Sequence, residues 1–424
     1  MFLTAKITSG PAKAIGTLWK DTAQALSEMT AFKKFAIYFW FAGPFILLIE
    51  RSPADAWMII IDLLFIIHCI RAKQTDFFAV SWVRFGLLFL SVACLAGLLS
   101  SMPQTALAEA LLWARFPLFA IASAFWLGRD IRILKMMFAL TGIAVMVMCA
   151  ISTAELFLVG QIGGRLSWPY GDLVPGNYIA KVGLPIFVLA MTIVNTPHHP
   201  HRIWFILFLL FGLFGVFITG ERVNFILVVC AILMTLVVYR PNIKMIGVLF
   251  VALAGQLVMT YFFFPKVWWR YVTHFLENIP TGPHSVYYNT MAPGIISFLE
   301  NPLFGIGTGN YRHLCADFIA HNPLLECHPH PHNFYIQMAS ETGIIGLVFG
   351  ILFVCALVYY CFKVARLQAN NILIVTCFIA PFGLFWPIKS NADFFGQWNN
   401  IFMWSAIALS LACAQVAHDK NREE

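Results

Sequence analysis

Charged residues are scarce in this chain of 424 residues: they make up 11% of it, whereas hydrophobic residues make up 60% and the mean hydropathy is +0.79. A soluble domain usually carries about a quarter charged residues. So few charges cannot cover a water-facing surface, which excludes a soluble globular fold and makes lipid the main solvent. The net charge of +7 predicts no nucleic-acid partner, because in a membrane protein the side that holds Lys and Arg matters more than their sum.

Other patterns are absent too. No Cys-x-x-Cys spacing occurs among the ten cysteines, which excludes a zinc ribbon. No internal repeat and no Gly/Ser-rich or acidic low-complexity tract is visible, which favours a single helical domain. Residues 1–34 contain five lysines but no apolar core followed by a cleavage site, so no cleavable signal peptide is predicted.

Long apolar runs are what the chain has instead, and they are continuous rather than alternating. A hydrocarbon core of about 30 Å needs roughly 20 apolar residues as helix, and only helices or closed barrels satisfy their backbone in lipid. Continuous runs indicate helices, so we expect an all-α polytopic integral membrane protein with about twelve transmembrane helices. The predicted spans are 33–49, 55–70, 78–100, 105–127, 133–159, 177–195, 202–219, 222–239, 243–264, 334–361, 371–388 and 396–416.

Positive charges alternate between the predicted loops. With the N-terminus inside, 17 Lys and Arg residues fall on the inner side and 7 on the outer side. The positive-inside rule therefore predicts that both termini are cytoplasmic. The expected organisation is a cytoplasmic segment 1–32, helices 1–9 over 33–264, a large outer loop 265–333, helices 10–12 over 334–416 and a cytoplasmic tail 417–424.

The outer loop, residues 265–333, is far longer than any other connection. Long loops in compact proteins usually carry function. Cys315 and Cys327 lie in it, whereas the other eight cysteines lie in or beside predicted spans. Because these two are the only outer-loop pair and face an oxidising compartment, we predict a disulfide between them.

The densest polar group ends this loop. His328, His330 and His332 alternate with prolines directly before Asn333. Pro disfavours helix at the residue before it, so this segment is expected to be extended and the next helix to begin near Asn333. Three imidazoles could bind zinc, could belong to a plain loop entry, or could include a general base suited to neutral pH. The residues alone leave these three interpretations open.

Four short motifs follow one another between residues 164 and 346. His332-Asn333 is followed after nine residues by Gly343 and, after two further residues, by Gly346. The upstream motifs are Gly164-Arg165-Leu166-Ser167 with Asn177, then Thr219-Gly220-Glu221-Arg222, then Asn301-Pro302-Leu303-Phe304-Gly305-Ile306-Gly307-Thr308-Gly309-Asn310-Tyr311. Taken in chain order, the four motifs resemble the elements "GRxSG...PN", "tgSR", "NPLxGxGxGNF" and His-[Asn/Ser/Gln]…Gly-x-x-Gly of the O-antigen ligase and polymerase superfamily of the bacterial envelope.

The sequence departs from that pattern at two places. The Arg that the family often has upstream of the Asn-Pro-Leu motif is missing, because Ser285-Val286-Tyr287 stand there. Asn177 also lacks its preceding proline. Arg270 is the nearest candidate to replace the missing Arg, and His284 is a weaker one.

The resemblance implies a GT-C-like, multi-spanning glycosyltransferase in the bacterial inner membrane, with the large loop and the active face in the periplasm. The donor would be a glycan on undecaprenyl pyrophosphate. The acceptor would be a sugar hydroxyl on lipid A–core for a ligase, or on another glycan for a polymerase. Membrane lipid is the remaining partner, and no cofactor or metal is expected. The absence of a DxD-like nucleotide-sugar motif fits a lipid-linked donor.

Arg222 is the first candidate for binding the pyrophosphate. It is predicted to begin a helix at the outer surface, where the helix dipole favours anions and a guanidinium offers a planar fork to phosphate oxygens. Arg270 and Arg165 are further candidates, and His330 and Asn333 complete the predicted substrate contacts. Snorkelling to anchor a helix end is the alternative for Arg222, and an interfacial anchor beside two tryptophans is the alternative for Arg270.

His332 is the predicted catalytic base, with a pKa expected near 7 because that value suits proton transfer at neutral pH. We expect Arg312 to form an ion pair within the loop, and Lys181 to pair with Asp172 near the outer surface. Three competing functions stay open at this point: a polysaccharide polymerase, a metal-dependent enzyme that uses the three histidines, and a membrane transporter with the same number of helices.

Overall fold

The computed structural model describes residues 11–172, 175–239, 242–277, 285–320, 322, 324–367 and 372–423. The first nine helices are α1 (Pro11–Ser27), α2 (Ala31–Ile46), α3 (Arg51–Ala72), α4 (Ser81–Leu99), α5 (Pro103–Trp113), α6 (Arg115–Ala122), α7 (Ile131–Leu158), α8 (Pro175–Asn177) and α9 (Leu184–Val194). They are followed by α10 (Arg202–Ile218), α11 (Arg222–Val238), α12 (Ile243–Phe263), α13 (Pro265–Trp268), α14 (His274–Glu277), α15 (Val286–Glu300), α16 (Tyr311–Ile319), α17 (Phe334–Leu367), α18 (Ile372–Leu384) and α19 (Gln397–Glu423).

The all-α, polytopic fold is confirmed. Each predicted span lies on one helix or on consecutive helices, and the described residues contain no strand. Seven helices of this part have the length and apolar composition to cross a membrane, and α8–α9 becomes the eighth if its two bent halves form one span. α10 and α11 are apolar but shorter. The number of twelve crossings, the domain boundaries and the orientation stay predictions.

α19 is the central helix, and α12 is the most peripheral. α19 packs against α3, α6, α7, α17 and α18, and its large side chains, such as Trp404 and Phe402, are fully buried. α12 instead exposes apolar side chains such as Val251 and Phe263. Since lipid tails are as apolar as these side chains, exposure here costs little, and α12 has the surface of a lipid-facing helix.

The span predicted at 177–195 is broken. Its two halves, Pro175–Val182 and Leu184–Val194, differ in direction by 51°. A π-helical turn, Tyr178–Val182, lies at the break, and Lys181 sits in this turn. Turns of this kind often occur at functional sites, and irregular backbone at membrane depth is tolerated only inside protein or beside a cavity.

The segment predicted as the large outer loop is mostly helical in its described residues, and its turn at residues 301–310 holds α17. The Ile306 and Gly307 amides donate to the carbonyls of Ser340 and Glu341 at 3.0 and 2.9 Å. α17 is interrupted at Gly343 (φ 64°, ψ −169°), where a Cβ would lie 2.2 Å from the Leu303 carbonyl oxygen. Only glycine fits this close approach, in agreement with the Gly-x-x-Gly motif.

Candidate functional site

A cavity of about 360 Å³ collects most of the polar residues that the sequence singled out. Its lining comes from the turn before α8 with the broken span, the α10–α11 turn, the π-helical turn Trp269–Thr273 with the first residue of α14, the start of α15, the histidine segment 328–333 and the α18–α19 connection. Its volume lies in the range of small-ligand sites. The cavity is lined by Arg165, Asn177, Lys181, Glu221, Arg222, Val223, Asn224, Arg270, His274, Val286, Tyr287, His330, His332, Lys389, Ser390, Asn391 and Ala392.

Arg222 and Arg165 bring donors without protein partners to this cavity. Arg222 is the first residue of α11, its guanidinium carbon lies 5.5 Å from the Phe275 ring centroid, and its Nη1 is buried without a hydrogen bond. Nε of Arg165 is buried without a hydrogen bond as well. Leaving such a donor unsatisfied costs about 1–3 kcal/mol. The pair is therefore arranged for an acceptor that comes from outside the chain.

Gly220 lets the two arginines meet. It adopts φ +74°, and a Cβ there would lie 1.9 Å from the carbonyl oxygen of Gly164. Glycine is therefore required, because both the left-handed backbone and the contact exclude a side chain. The motif segments that contain Arg165 and Arg222 are therefore packed backbone against backbone at this point.

Arg270 is the third guanidinium of the group. It is buried, and its Nε donates to the Gly220 carbonyl oxygen at 2.6 Å. Burial, followed by the charges of Arg165 and Arg222, lowers the pKa of Arg270 to about 10. It therefore stays protonated at neutral pH beside two like charges. The three positive charges repel one another until a bound anion neutralises them.

Lys181 and Glu221 face the cavity together, and the sequence missed this arrangement. The Lys181 ammonium donates to Oδ1 of Asn399. The Glu221 carboxylate accepts from Nδ2 of Asn177 at 2.9 Å and from Nδ2 of Asn224. Oε1 of Glu221 is buried without a hydrogen bond. An ionisable residue inside a span is itself a signal of function, and this signal was available for Lys181.

The predicted pairing of Lys181 with Asp172 is wrong. Asp172 lies in the turn before α8, where its carboxylate is 4.0 Å from the Arg51 guanidinium, and both of these side chains are exposed. Lys181 is instead buried, because the π-helical turn directs it into the protein. The two residues are close in sequence but occupy different environments.

His332 lies at the cavity in a strained backbone conformation. Its φ is +53°, a left-handed conformation that non-glycine residues rarely adopt and that clusters at functional sites. Its carbonyl oxygen accepts from the Asn391 amide at 2.7 Å. The His332 ring centroid is 4.4 Å from that of His330 and 5.2 Å from that of His328.

The expected pKa near 7 for His332 needs correction. Burial, followed by the neighbouring rings of His330 and His328, lowers the pKa of His332 to about 4. The ring is therefore neutral at neutral pH and able to accept a proton, but it is a weaker base than expected. His330 has a lowered pKa as well, first because of burial, and its Nε2 is buried without a hydrogen bond.

Asn333 does not line the cavity. Its Nδ2 donates to the carbonyls of Pro387 and Lys389 at 2.8 and 3.3 Å, and its Oδ1 accepts from the amides of Tyr335 and Ile336. The predicted substrate contact is therefore replaced by two structural tasks. Asn333 caps the start of α17 and ties the histidine segment to the α18–α19 connection.

The other sequence predictions concern the disulfide, Arg312 and the replacement for the missing Arg. Cys315 and Cys327 are joined by a disulfide with a Cα–Cα distance of 5.6 Å. Arg312 does form an ion pair, but its partners, Glu109 at 3.1 Å and Asp393 at 3.2 Å, lie outside the loop in which the pair was expected. His284, the weaker replacement for the missing Arg, lies outside the described residues. Arg270 does line the cavity, together with Tyr287 from the place where that Arg was expected.

The three histidines do not form a metal-ligand set. No group of three His, Cys, Asp or Glu side chains in the described part of the chain has positions that could hold a metal ion. His328 instead lies 3.2 Å from the Glu326 carboxylate. The described residues therefore show no ligand geometry that would support a metal-dependent enzyme built on these histidines.

Comparison with known proteins relates part of this chain to one protein family. Residues 206–351 match the family model described as O-antigen ligase. The resemblance to the O-antigen ligase superfamily is confirmed. The matched segment contains Arg222, Arg270, His330 and His332, whereas Arg165, Lys181 and Lys389 lie outside it.

A relative from Rickettsia conorii, which carries the provisional name polysaccharide ligase, is 32% identical over 114 residues. This alignment covers 25% of the present chain and 26% of the relative, so the chain spans only about a quarter of that protein. Together the family model and the relative support a ligase-type function for a multi-pass membrane protein.

Proposed function

We propose that the chain is an O-antigen ligase-type glycosyltransferase that transfers a glycan from undecaprenyl pyrophosphate to a sugar hydroxyl of lipid A–core. The reaction would take place at the periplasmic face of the bacterial inner membrane. One observation carries the proposal: three guanidinium groups, two of them with unpartnered donors, share one cavity with a neutral histidine. This combination matches a diphosphate leaving group beside a hydroxyl that must lose its proton.

In this proposal His332 is the general base. The acceptor oxygen attacks the anomeric carbon of the lipid-linked sugar while a ring nitrogen of His332 takes its proton. The bond between that carbon and the diphosphate oxygen breaks, and the electron pair leaves with the diphosphate. Proton transfer to a positioned base is typically worth about 10²–10⁴-fold in rate.

Arg222, Arg165 and Arg270 hold the leaving diphosphate. A guanidinium stays charged and can bind two phosphate oxygens at once. As the bond breaks, negative charge grows on the diphosphate, and positive groups already in position stabilise it without reorganisation. The arginines can therefore do the work that a metal does elsewhere, and we propose a metal-independent reaction.

Donor binding also explains how a histidine with a low pKa can serve as the base. In the free site His332 is buried beside the His330 and His328 rings, which disfavours the imidazolium form. A bound diphosphate adds negative charge to the same cavity, and an opposite charge nearby favours the protonated form. The pKa of His332 then rises toward the pH at which it works.

The test is transfer by the purified full-length protein in EDTA, with an undecaprenyl pyrophosphate-linked glycan as donor and lipid A–core as acceptor. We expect glycan-bearing lipid A–core as the product. Activity that EDTA abolishes and zinc restores would contradict the metal-independent reaction. Elongation of the lipid-linked glycan, without transfer to lipid A–core, would make the protein a polymerase.

The proposed orientation has its own test. We propose that residues 265–333 are periplasmic and both termini cytoplasmic, which rests on the charge distribution among the loops. An alkaline phosphatase fusion within segment 278–284, outside the described residues, should be active. An inactive fusion of normal abundance would overturn the orientation.

A further inference from the structure

Two lysines share the cavity with the arginines, and the proposed reaction does not use them. Lys181 comes from the break in the α8–α9 span, and Lys389 comes from the α18–α19 connection. Lys181 is only 7% exposed. Placing an ammonium inside a span costs about 2.5–3.5 kcal/mol on insertion scales, so such residues usually serve a function.

Both ammonium groups have donors to spare. Lys181 donates to Oδ1 of Asn399, and Lys389 donates to the Gly383 carbonyl oxygen at 3.1 Å. An ammonium has three N–H donors, so each lysine keeps donors without a partner within the described part of the chain. Burial, and then the charge of Lys181, lowers the pKa of Lys389 well below its ordinary value. A bound anion favours the ammonium form, so Lys389 contributes its positive charge when an anion is present.

The charges in the cavity exceed the needs of the diphosphate. Each phosphate of a lipid–diphosphate–sugar carries one negative charge, and the three guanidinium groups already outnumber these charges. Glu221 is the one carboxylate among the described residues that line the cavity, and it can neutralise one lysine at most. It stands where the superfamily motif has Ser. The positive charge that remains has no counterpart in the proposed donor linkage.

We propose that Lys181 and Lys389 form a second anion subsite, which binds a carboxylate or phosphate carried by a sugar of the substrate and makes the protein selective for acidic glycans. This inference rests on the proposed function and adds a substrate class to it. An ammonium is a compact point charge with rotatable donors, which suits such a substituent, whereas the planar guanidinium groups suit the diphosphate. Both lysines lie outside segment 206–351, which matches the family model.

The experiment measures binding to the purified full-length protein in detergent. The donor arm compares two short-chain prenyl diphosphates, one that carries glucose and one that carries glucuronic acid. The acceptor arm compares free glucose with free glucuronate after unsubstituted prenyl diphosphate has been bound. The variants are Lys181→Gln and Lys389→Gln. Lys266→Gln is the matched control, because Lys266 is exposed and donates only to the Gln161 carbonyl at 3.2 Å.

We expect the wild type to bind the acidic ligand about tenfold more tightly in one of the arms, as a charged hydrogen bond is typically worth that much. The arm that shows the preference identifies the substrate that carries the acid. Each cavity variant should reduce the preference to less than about threefold, whereas Lys266→Gln should keep it. If the Lys181→Gln variant does not fold, the Lys389→Gln variant decides whether the subsite exists, because Lys389 lies outside the predicted spans.

No preference in either arm would overturn the subsite. So would lysine variants that weaken binding of unsubstituted prenyl diphosphate as strongly as Arg222→Ala does, since the lysines would then serve the diphosphate. Binding and turnover fail separately. If the protein prefers the acidic ligand but transfers no glycan, the subsite stands and the ligase function is contradicted. If it transfers glycan without preferring the acidic ligand, the ligase function stands and the subsite is contradicted.

Discussion

Two groups of charged residues lie close to the histidine segment, and they differ in how their hydrogen bonds are satisfied. Arg312 is bound on both sides, by Glu109 and Asp393, and Asp393 also accepts from Nε2 of Gln337 at 2.7 Å. Arg222 and Arg165 instead keep buried donors without partners. The first group balances its own charge and holds elements together. The second has a surplus that only a ligand can balance.

This difference, rather than charge or predicted position, distinguishes Arg312 from Arg222 and Arg165. All three arginines lie in predicted outer loops or at a helix start on that side. Removing Arg312 from the balanced group leaves two partly buried carboxylates without their cation, which should lower stability. Removing Arg222 takes away a donor that has no partner in the free protein, so stability should hardly change while ligand binding is lost.

The largest effect is expected for His332→Ala, which should lower the transfer rate by about 10²–10⁴-fold because the acceptor hydroxyl loses its base. Transfer kinetics with saturating donor measure this. His330→Ala is the matched control, with a neighbouring ring in the same cavity and a smaller expected loss. If His330→Ala is the inactive variant and His332→Ala keeps near-normal rates, the wrong histidine has been assigned.

Arg222→Ala should lower transfer by about 10²–10³-fold, the usual effect of removing one donor that stabilises developing charge. Arg222→Lys should recover only part of this, because an ammonium cannot bind two oxygens in a planar fork. The melting temperature should stay close to that of the wild type. A large fall in melting temperature with intact specific activity would place Arg222 in the balanced, structural group.

Replacing Cys315 and Cys327 with Ser should lower the free energy of unfolding by about 3 kcal/mol, on the chain-entropy account of a short closed loop. Thermal unfolding without reductant measures this, and Cys230→Ser, at an exposed free cysteine, is the control. Equal melting temperatures for all three proteins would argue against the disulfide. Two free thiols detected by mass analysis of the wild type would do the same.

Arg312→Ala should lower the free energy of unfolding by about 1–3 kcal/mol, since it leaves the carboxylates of Glu109 and Asp393 without their shared cation. The lower part of this range is favoured because the three side chains are partly exposed. Thermal unfolding decides. A variant of unchanged stability would show that the contrast between the two groups is not one of charge balance.

The smallest effect is a shift in pH dependence. The neutral form of His332 is the active one, so transfer should fall as the pH falls through its pKa, which is about 4 in the free site. kcat/KM reports the free enzyme and kcat reports the complex. Because a bound diphosphate raises the pKa, the acid limb of kcat should lie at higher pH than that of kcat/KM. Superimposed limbs would contradict a shared cavity for His332 and the diphosphate.

The helices and part of the site follow from the sequence because their signals are local. Apolar runs of span length locate the helices, and motifs locate Arg222 and His332. Lys181, Glu221 and Lys389 line the same cavity only after segments distant in sequence have packed together. No spacing in the sequence predicts this. Asn333 was misassigned because a motif gives the position of a residue but not the direction of its side chain, which here caps α17.

The break at Gly343 has a mechanical consequence for His332. The 301–310 turn holds α17 on both sides of this break: it bonds to Ser340 and Glu341 before Gly343, and the Ile344 amide beyond it donates to the Pro302 carbonyl at 2.8 Å. The angle between the nine residues from Phe334 to Thr342 and the longer apolar part of α17 is therefore fixed by a segment outside the helix. His332 lies just before the nine-residue part, so the direction from which its ring enters the cavity is set together with that angle.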